Sequence, residues 1–184
     1  MNLNNLPENL PAPEDDGACD HLSGLTVVDT GFLATTGEEI NLATLTGRTI
    51  LYIYPMTAQP GTPLPEGWDE IPGARGCTPQ SCSFKDHHNE LQELRARVFG
   101  LSTQATEYQI EAQQRLHLPF PLLSDQSMLL KRKMRLPTFD ASGMELYRRV
   151  TLVINNGSIE KTFYPVFPPD KNADEVIKWL RDNT

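Results

Sequence analysis

The chain has 184 residues and a mass of 20.6 kDa, which fits one domain able to bury a core without disulfide or metal support. Sixteen Lys plus Arg stand against twenty-four Asp plus Glu, and the net charge of −8 argues against nucleic acid and anionic membranes as partners. Three cysteines, an odd number, speak against a structural disulfide framework and leave metal binding, redox work or plain burial.

The opening stretch, "MNLNNLPENLPAPEDDGACD", has no basic leader and no apolar run, and no later stretch has the length of a membrane span. The expectation is a cytoplasmic protein with an extended arm over residues 1–22 and a single domain over 23–184. Cys19, beside Asp20 in that arm, is expected to be incidental.

"LTVVDT" and "GEEINLATLTG" resemble short strands and a turn. "TILYIYP", 49 to 55, is a nearly continuous apolar run suited to a strand covered on both faces. A loop over about 56–76 follows, in which Pro60, Pro63, Pro65 and Pro72 forbid regular structure while Trp68 and Ile71 offer apolar bulk. "TPQSCSFKDHHNELQEL" then reads as one helix, with Thr78 as N-cap, Pro79 at the first helical position, and Phe84, His88, Leu91 and Leu94 at helical spacing.

"RVFGLST" reads as a second buried strand, 104 to 117 as a helix, "FPLLSD" as a short strand and "SMLLKRKMR" as a short basic helix. "ELYRRVTLVIN" reads as one strand, "NNG" as a hairpin turn, "SIEKTFYP" as its partner, and "NADEVIKWLRD" as a closing helix capped by Asn172. The alternation implies an α/β fold with a mixed central sheet between helices, and a site where the first long strand ends and a helix begins.

That edge carries Cys77 and Cys82. Unsatisfied N–H groups and the helix dipole favour negative charge at Cys77, and the thiolate is the reactive form of cysteine. Arg75 adds a positive charge two residues away, whereas Cys82 lies deeper in the helix as a more ordinary thiol. Five helical residues separate Cα atoms by roughly 8 to 9 Å, and a disulfide needs about 7 Å or less, so pairing requires the first turns to unwind. A zinc site would need further ligands, and His87 and His88 point about 100° apart on a helix.

"YIYP" followed by "GCTPQSCSFKDHHNEL" resembles the peroxiredoxins of the bacterioferritin-comigratory, or Q, type, and the likeness continues through "YRRVTLVINNGSIE" and "TFYPVFPPDKNADEVIKWL". The resemblance implies a thioredoxin-like fold and a cofactor-free thiol peroxidase that reduces hydrogen peroxide or organic hydroperoxides. It implies Cys77 as the peroxidatic cysteine, Cys82 as the resolving cysteine, Arg149 as the family arginine, and Pro55, Gly76 and Thr78 as parts of the substrate pocket. It further implies a thioredoxin-like or glutaredoxin-like reductant, and a cycle completed within one chain, for which a monomer suffices and a weak dimer is compatible.

One departure stands out. The family pattern Pro-x-x-x-Thr-x-x-Cys is stretched here by about fifteen residues between Pro55 and Cys77, and Ala74 occupies the threonine position. Thr57 is the expected substitute and Thr62 a weaker one, while the inserted loop is expected to cover the pocket or present Arg75 to it. Two alternatives stay open: a thioredoxin-like thiol:disulfide oxidoreductase, encouraged by "RLPTF", and a non-enzymatic redox-sensing module whose output is helix unwinding.

Overall fold

The computed structural model describes residues 6 to 183. Its centre is a seven-stranded sheet in the order β2-β1-β5-β4-β3-β8-β9, built from β1 (Gly31–Ala34), β2 (Glu39–Asn41), β3 (Arg48–Ile53), β4 (Ala96–Ser102), β5 (Leu122–Ser124), β8 (Val150–Asn155) and β9 (Ser158–Phe163). Strands β3, β4 and β5 run parallel, and the other pairings are antiparallel. A separate hairpin pairs β6 (Thr138–Ala141) with β7 (Met144–Tyr147).

The apolar run of β3 is central because both of its faces are covered. Ile50, Tyr52 and Tyr54 enter one core with α1 (Cys77–Asp86), α2 (His88–Glu93), α3 (Thr106–Leu116) and α5 (Asn172–Asp182). Leu51 and Ile53 enter the other, with Leu130 and Met134 of α4 (Leu129–Met134) and with Leu22, Phe32 and Tyr147. Each fully buried Ile or Leu contributes roughly 1.5–3 kcal/mol, so the register of this strand is firmly set. Among the described residues no helix is long and apolar enough to cross a membrane.

Several elements differ from expectation for local reasons. "LTVVDT" forms only a bridge, Thr26 to Ser158, not a strand. The helix after the loop breaks at His87, which caps α1 and opens α2. "ELYRRVTLVIN" is two strands in two sheets, since Arg148 and Arg149 leave the ladder between β7 and β8. Asn172 is not the N-cap of the closing helix; Lys171 takes that place and Asn172 is fully buried. Of the arm expected over 1–22, residues 1 to 5 lie outside the described residues, and the end of the rest is tied to the domain. A short 3-10 turn, Asp20–Leu22, brings Leu22 and Cys19 into the core. Cys19 is therefore a core residue, and burial followed by the nearby carboxylates of Asp16, Asp15 and Asp20 pushes its thiol up to about 12.

Candidate active site

The site forms where β3 ends and α1 starts. Tyr54 closes the strand by donating its N–H to Leu101 O at 3.0 Å, and buried Pro55 turns the chain out of the sheet. The loop that follows is anchored by its own small core, in which Trp68 and Ala74 pack with Ala141 and Leu146 of the hairpin and with Met56, Leu64, Ile71 and Phe139. A further tie comes from Arg75, buried and paired with Asp69 at 3.0 Å. The insertion is thus a packed wall of the site.

Helix α1 begins at Cys77, two residues before the start at Pro79 expected from the sequence. Gly76 is the N-cap, and its carbonyl accepts from Gln80 N at 3.0 Å. With φ at +108°, and with an added Cβ placed 2.4 Å from Pro169 Cγ, only glycine fits. Thr78 and Pro79 occupy the next helical positions, both buried. Tyr52 steadies the helix from below: its hydroxyl and that of Ser81 are hydrogen-bonded at 3.0 Å and its ring stacks on Phe84. Gly100 makes room for that ring, since a Cβ there would lie 2.6 Å from Tyr52 Cζ.

Cys77 is 4 % exposed and Arg149 3 %. Arg149 Nη2 donates to Cys77 Sγ at 3.3 Å, and also lies within reach of the carbonyls of Gly73 (3.2 Å), Ala74 (3.1 Å) and Arg75 (3.3 Å). Its other end, Nη1, donates to Gln80 Oε1 at 2.5 Å. The Cys77 thiol itself lies 3.7 Å from Ala74 O. A guanidinium and a helix N-terminus converge on one sulfur, which is the arrangement that stabilises a thiolate and charge developing beside it. Arg148 turns the other way, to Asp16 and Tyr164.

The remaining expected residues fall into place as follows. Thr57 is buried at the strand end, but its hydroxyl donates to Gln104 Oε1 at 3.2 Å and makes no hydrogen bond to Cys77. Gln104 Nε2 donates back to Thr57 O at 3.0 Å. Thr62 is exposed on the loop. Cys82 is half-buried on α1, its thiol pushed upward first by burial and then by Asp86, against the opposing pull of Lys85 and Arg115. All three cysteines are free thiols, and no cluster suited to a metal ion exists among the described residues. His87 pairs with Asp174, while His88 lies against Phe120, where burial lowers its affinity for a proton. Sequence reasoning missed Gln80, Asn172 and Thr151, three fully buried polar residues behind the arginine.

A model of the Redoxin family matches residues 18–177. The chain belongs to the Redoxin family. Among curated proteins this redoxin is 28% identical to the chloroplastic peroxiredoxin Q of Sedum lineare over 146 residues, which covers 79% of this chain and 70% of that protein. The chloroplastic peroxiredoxin Q of Gentiana triflora is 27% identical over the same share of this chain and 60% of its own length. A Mycobacterium tuberculosis peroxidoxin, BcpB, superposes with a TM-score of 0.71 at 25% identity, covering 88% of this redoxin and 97% of that chain. A PrxQ mutant from Xylella fastidiosa reaches the same TM-score at 18% identity, over 88% of this redoxin and 96% of that chain, and supports the fold alone. The thioredoxin-like architecture and the likeness to Q-type peroxiredoxins agree with the sequence reading.

Proposed function

We propose that this redoxin is a thiol-dependent peroxidase in which Cys77 reacts with the peroxide and Cys82 resolves the product. The single observation that carries the reading is the 3.3 Å contact of buried Arg149 with Cys77 Sγ at the first residue of α1. The Cys77 thiolate attacks one peroxide oxygen; the S–O bond forms, the O–O bond breaks, and water or an alcohol leaves with a proton, giving a sulfenic acid. The Cys82 thiol then attacks that sulfur, forming S–S, breaking S–O and releasing water. A thioredoxin-like or glutaredoxin-like dithiol returns both thiols by exchange and is itself oxidised.

Geometry supports particular roles within that cycle. Arg149 Nε is buried and without a partner among the described residues, a donor free to meet a peroxide oxygen. Thr57, held by Gln104 at the end of β3, is our assignment for the threonine that the insertion displaces. Pro55, Gly76 and Thr78 shape the turn and helix start around the sulfur, and Arg75 holds the loop through Asp69. The inserted loop, the β6 to β7 hairpin and α3 also enclose a 630 Å³ groove lined by Met56, Leu64, Tyr108, Met128 and Leu146 among others. Neither Cys77 nor Arg149 lines this groove, but Met56, Leu64 and Leu146 pack in the cluster that contains Ala74, so the loop that walls the site also walls the groove and is our candidate for setting peroxide preference. Shortening the loop across 59 to 66 is expected to change the rate with cumene hydroperoxide relative to hydrogen peroxide; an unchanged ratio removes that role.

Because both cysteines lie on one helix, a monomer completes the cycle and a dimer adds no residue to it. Sedimentation of the reduced and oxidised protein tests this. We propose a cytoplasmic location, a reading supported by the odd count of three cysteines and to be tested by imaging the tagged chain in its host. The functional test is peroxide consumption coupled to a thioredoxin system. Turnover by the native chain and its loss in Cys77→Ser are expected. Turnover that survives Cys77→Ser contradicts the reading, and reduction of insulin disulfides without peroxidase activity favours the oxidoreductase alternative.

A further inference from the structure

Asn172, the first residue of α5, faces inward and is fully buried. Its Oδ1 accepts from Thr151 Oγ1 of β8 at 2.6 Å and from Gln80 Nε2 of α1 at 2.9 Å. Gln80 in turn accepts at Oε1 from Arg149 Nη1, and the same guanidinium reaches Cys77. A chain of hydrogen bonds thus runs from α5 and β8, through α1, to the arginine at the reactive sulfur. The chemistry fixes its direction. Arg149 can only donate, so Gln80 must turn its oxygen to it and its NH2 to an acceptor, which Asn172 supplies.

We propose that Asn172 is a latch on α1: by holding Gln80 it fixes the folded helix with Arg149 on Cys77, and so sets how the Cys77 sulfenic acid divides between two fates. This rests on the peroxidase reading. One fate is condensation with Cys82, which releases water; the other is oxidation by a second peroxide molecule, which transfers an oxygen to give the sulfinic acid and leaves as water or an alcohol. Gln80 lies between the two cysteines, inside the stretch that must unwind for them to meet. Unwinding breaks its bonds to Arg149 and Asn172 in one event. Reaction with peroxide therefore needs the latch closed, and resolution needs it open. Asn172 and Gln80 are positioning residues, acting on the sulfur through Arg149 and through the helix.

The test is rapid-mixing oxidation of the reduced full chain, quenched and read by mass for thiol, dimedone-trapped sulfenic acid, disulfide and sulfinic acid. Asn172→Ala is expected to slow the reaction of Cys77 with hydrogen peroxide about fivefold, to speed disulfide formation by a similar factor, and to lower the sulfinic yield at high peroxide. Loosening that does not act through Gln80 would add to the effect of Gln80→Met, so the cycle of the two variants separates it from the latch. In a cycle with Gln80→Met, the double variant is expected to resolve no faster than Gln80→Met alone, since both changes open one latch. Wild type that shows no rapid oxidation of Cys77, or no 77 to 82 disulfide, overturns the peroxidase reading and the latch with it. A competent wild type beside an Asn172→Ala in which both steps slow together, or neither changes, overturns the latch alone, as does simple additivity in the cycle.

Discussion

Arg149 and Cys77 are 72 positions apart in the chain, yet Nη2 and Sγ meet at 3.3 Å in a site closed to solvent. The guanidinium is held at both ends, by Gln80 and by the carbonyls that lead into α1, so its charge is fixed before any peroxide arrives. Preorganised donors of this kind are worth roughly 10²- to 10³-fold in rate. Arg149→Ala is expected to slow Cys77 oxidation by about that factor, and Arg149→Lys to recover less than about tenfold of it, because one ammonium cannot span Gln80 and the sulfur together. Arg148→Ala, which removes an exposed pair with Asp16 and longer hydrogen bonds to Tyr164 and Thr138 but nothing at the sulfur, is expected to change the rate less than about twofold. Stopped-flow traces of the three variants check all of this.

Gly76 sets where the helix begins. Alanine there must adopt a strongly positive φ and meet Pro169 and Leu6, so Gly76→Ala is expected to cost roughly 3 kcal/mol or more, or about 10 °C in melting temperature. Thermal unfolding by circular dichroism measures the loss. Gly24→Ala, at a position with open space, is the control for backbone strain alone.

Burial raises the Cys82 thiol above the ordinary cysteine value of 9.0. A raised value keeps the group protonated over more of the pH range, so less of the attacking thiolate is present at neutrality. The disulfide-forming step is therefore expected to be slow near pH 7 and still climbing at pH 9. A plateau below pH 9 in single-turnover rates would contradict a raised Cys82 thiol in the folded chain.

Cys19 offers a separate pH signature. Its thiol is pushed up to about 12 in the folded chain against 9.0 when free, so above pH 9 the unfolded form ionises first. The contribution to stability is full below pH 9 and falls by at most about 1.4 kcal/mol per pH unit as pH rises toward 12. Cys19→Ala is expected to flatten that alkaline decline in urea unfolding. In the native protein, iodoacetamide at pH 8 is expected to spare Cys19 and to label it once urea opens the core.

Local pattern made much of this legible. The run "TILYIYP" marks the central strand because no polar residue interrupts it, and "GCTPQSC" marks the helix start that carries the chemistry. Alternation along an extended segment allows only one of Arg148 and Arg149 to face the sulfur, and it was the family resemblance that singled out Arg149. What escaped was long-range. Gln80 looked like any helical glutamine, and nothing near it in sequence announces Asn172, which lies 92 positions on. The burial of Cys19 escaped for a similar reason, because its apolar neighbours come from the sheet and α4 while its sequence neighbours are charged. The break at His87 escaped too, since the apolar spacing continues across it.

The most direct measurement is a single turnover of the reduced protein with hydrogen peroxide in wild type, Cys77→Ser and Cys82→Ser, with product masses read at the end. The account predicts that wild type reacts far faster than a free thiol and ends as a 77 to 82 disulfide, that Cys82→Ser stops at an oxidised Cys77, and that Cys77→Ser is inert. If all three react at the pace of an unactivated thiol, the meeting of Arg149 and Cys77 does not activate the sulfur, and the account is contradicted.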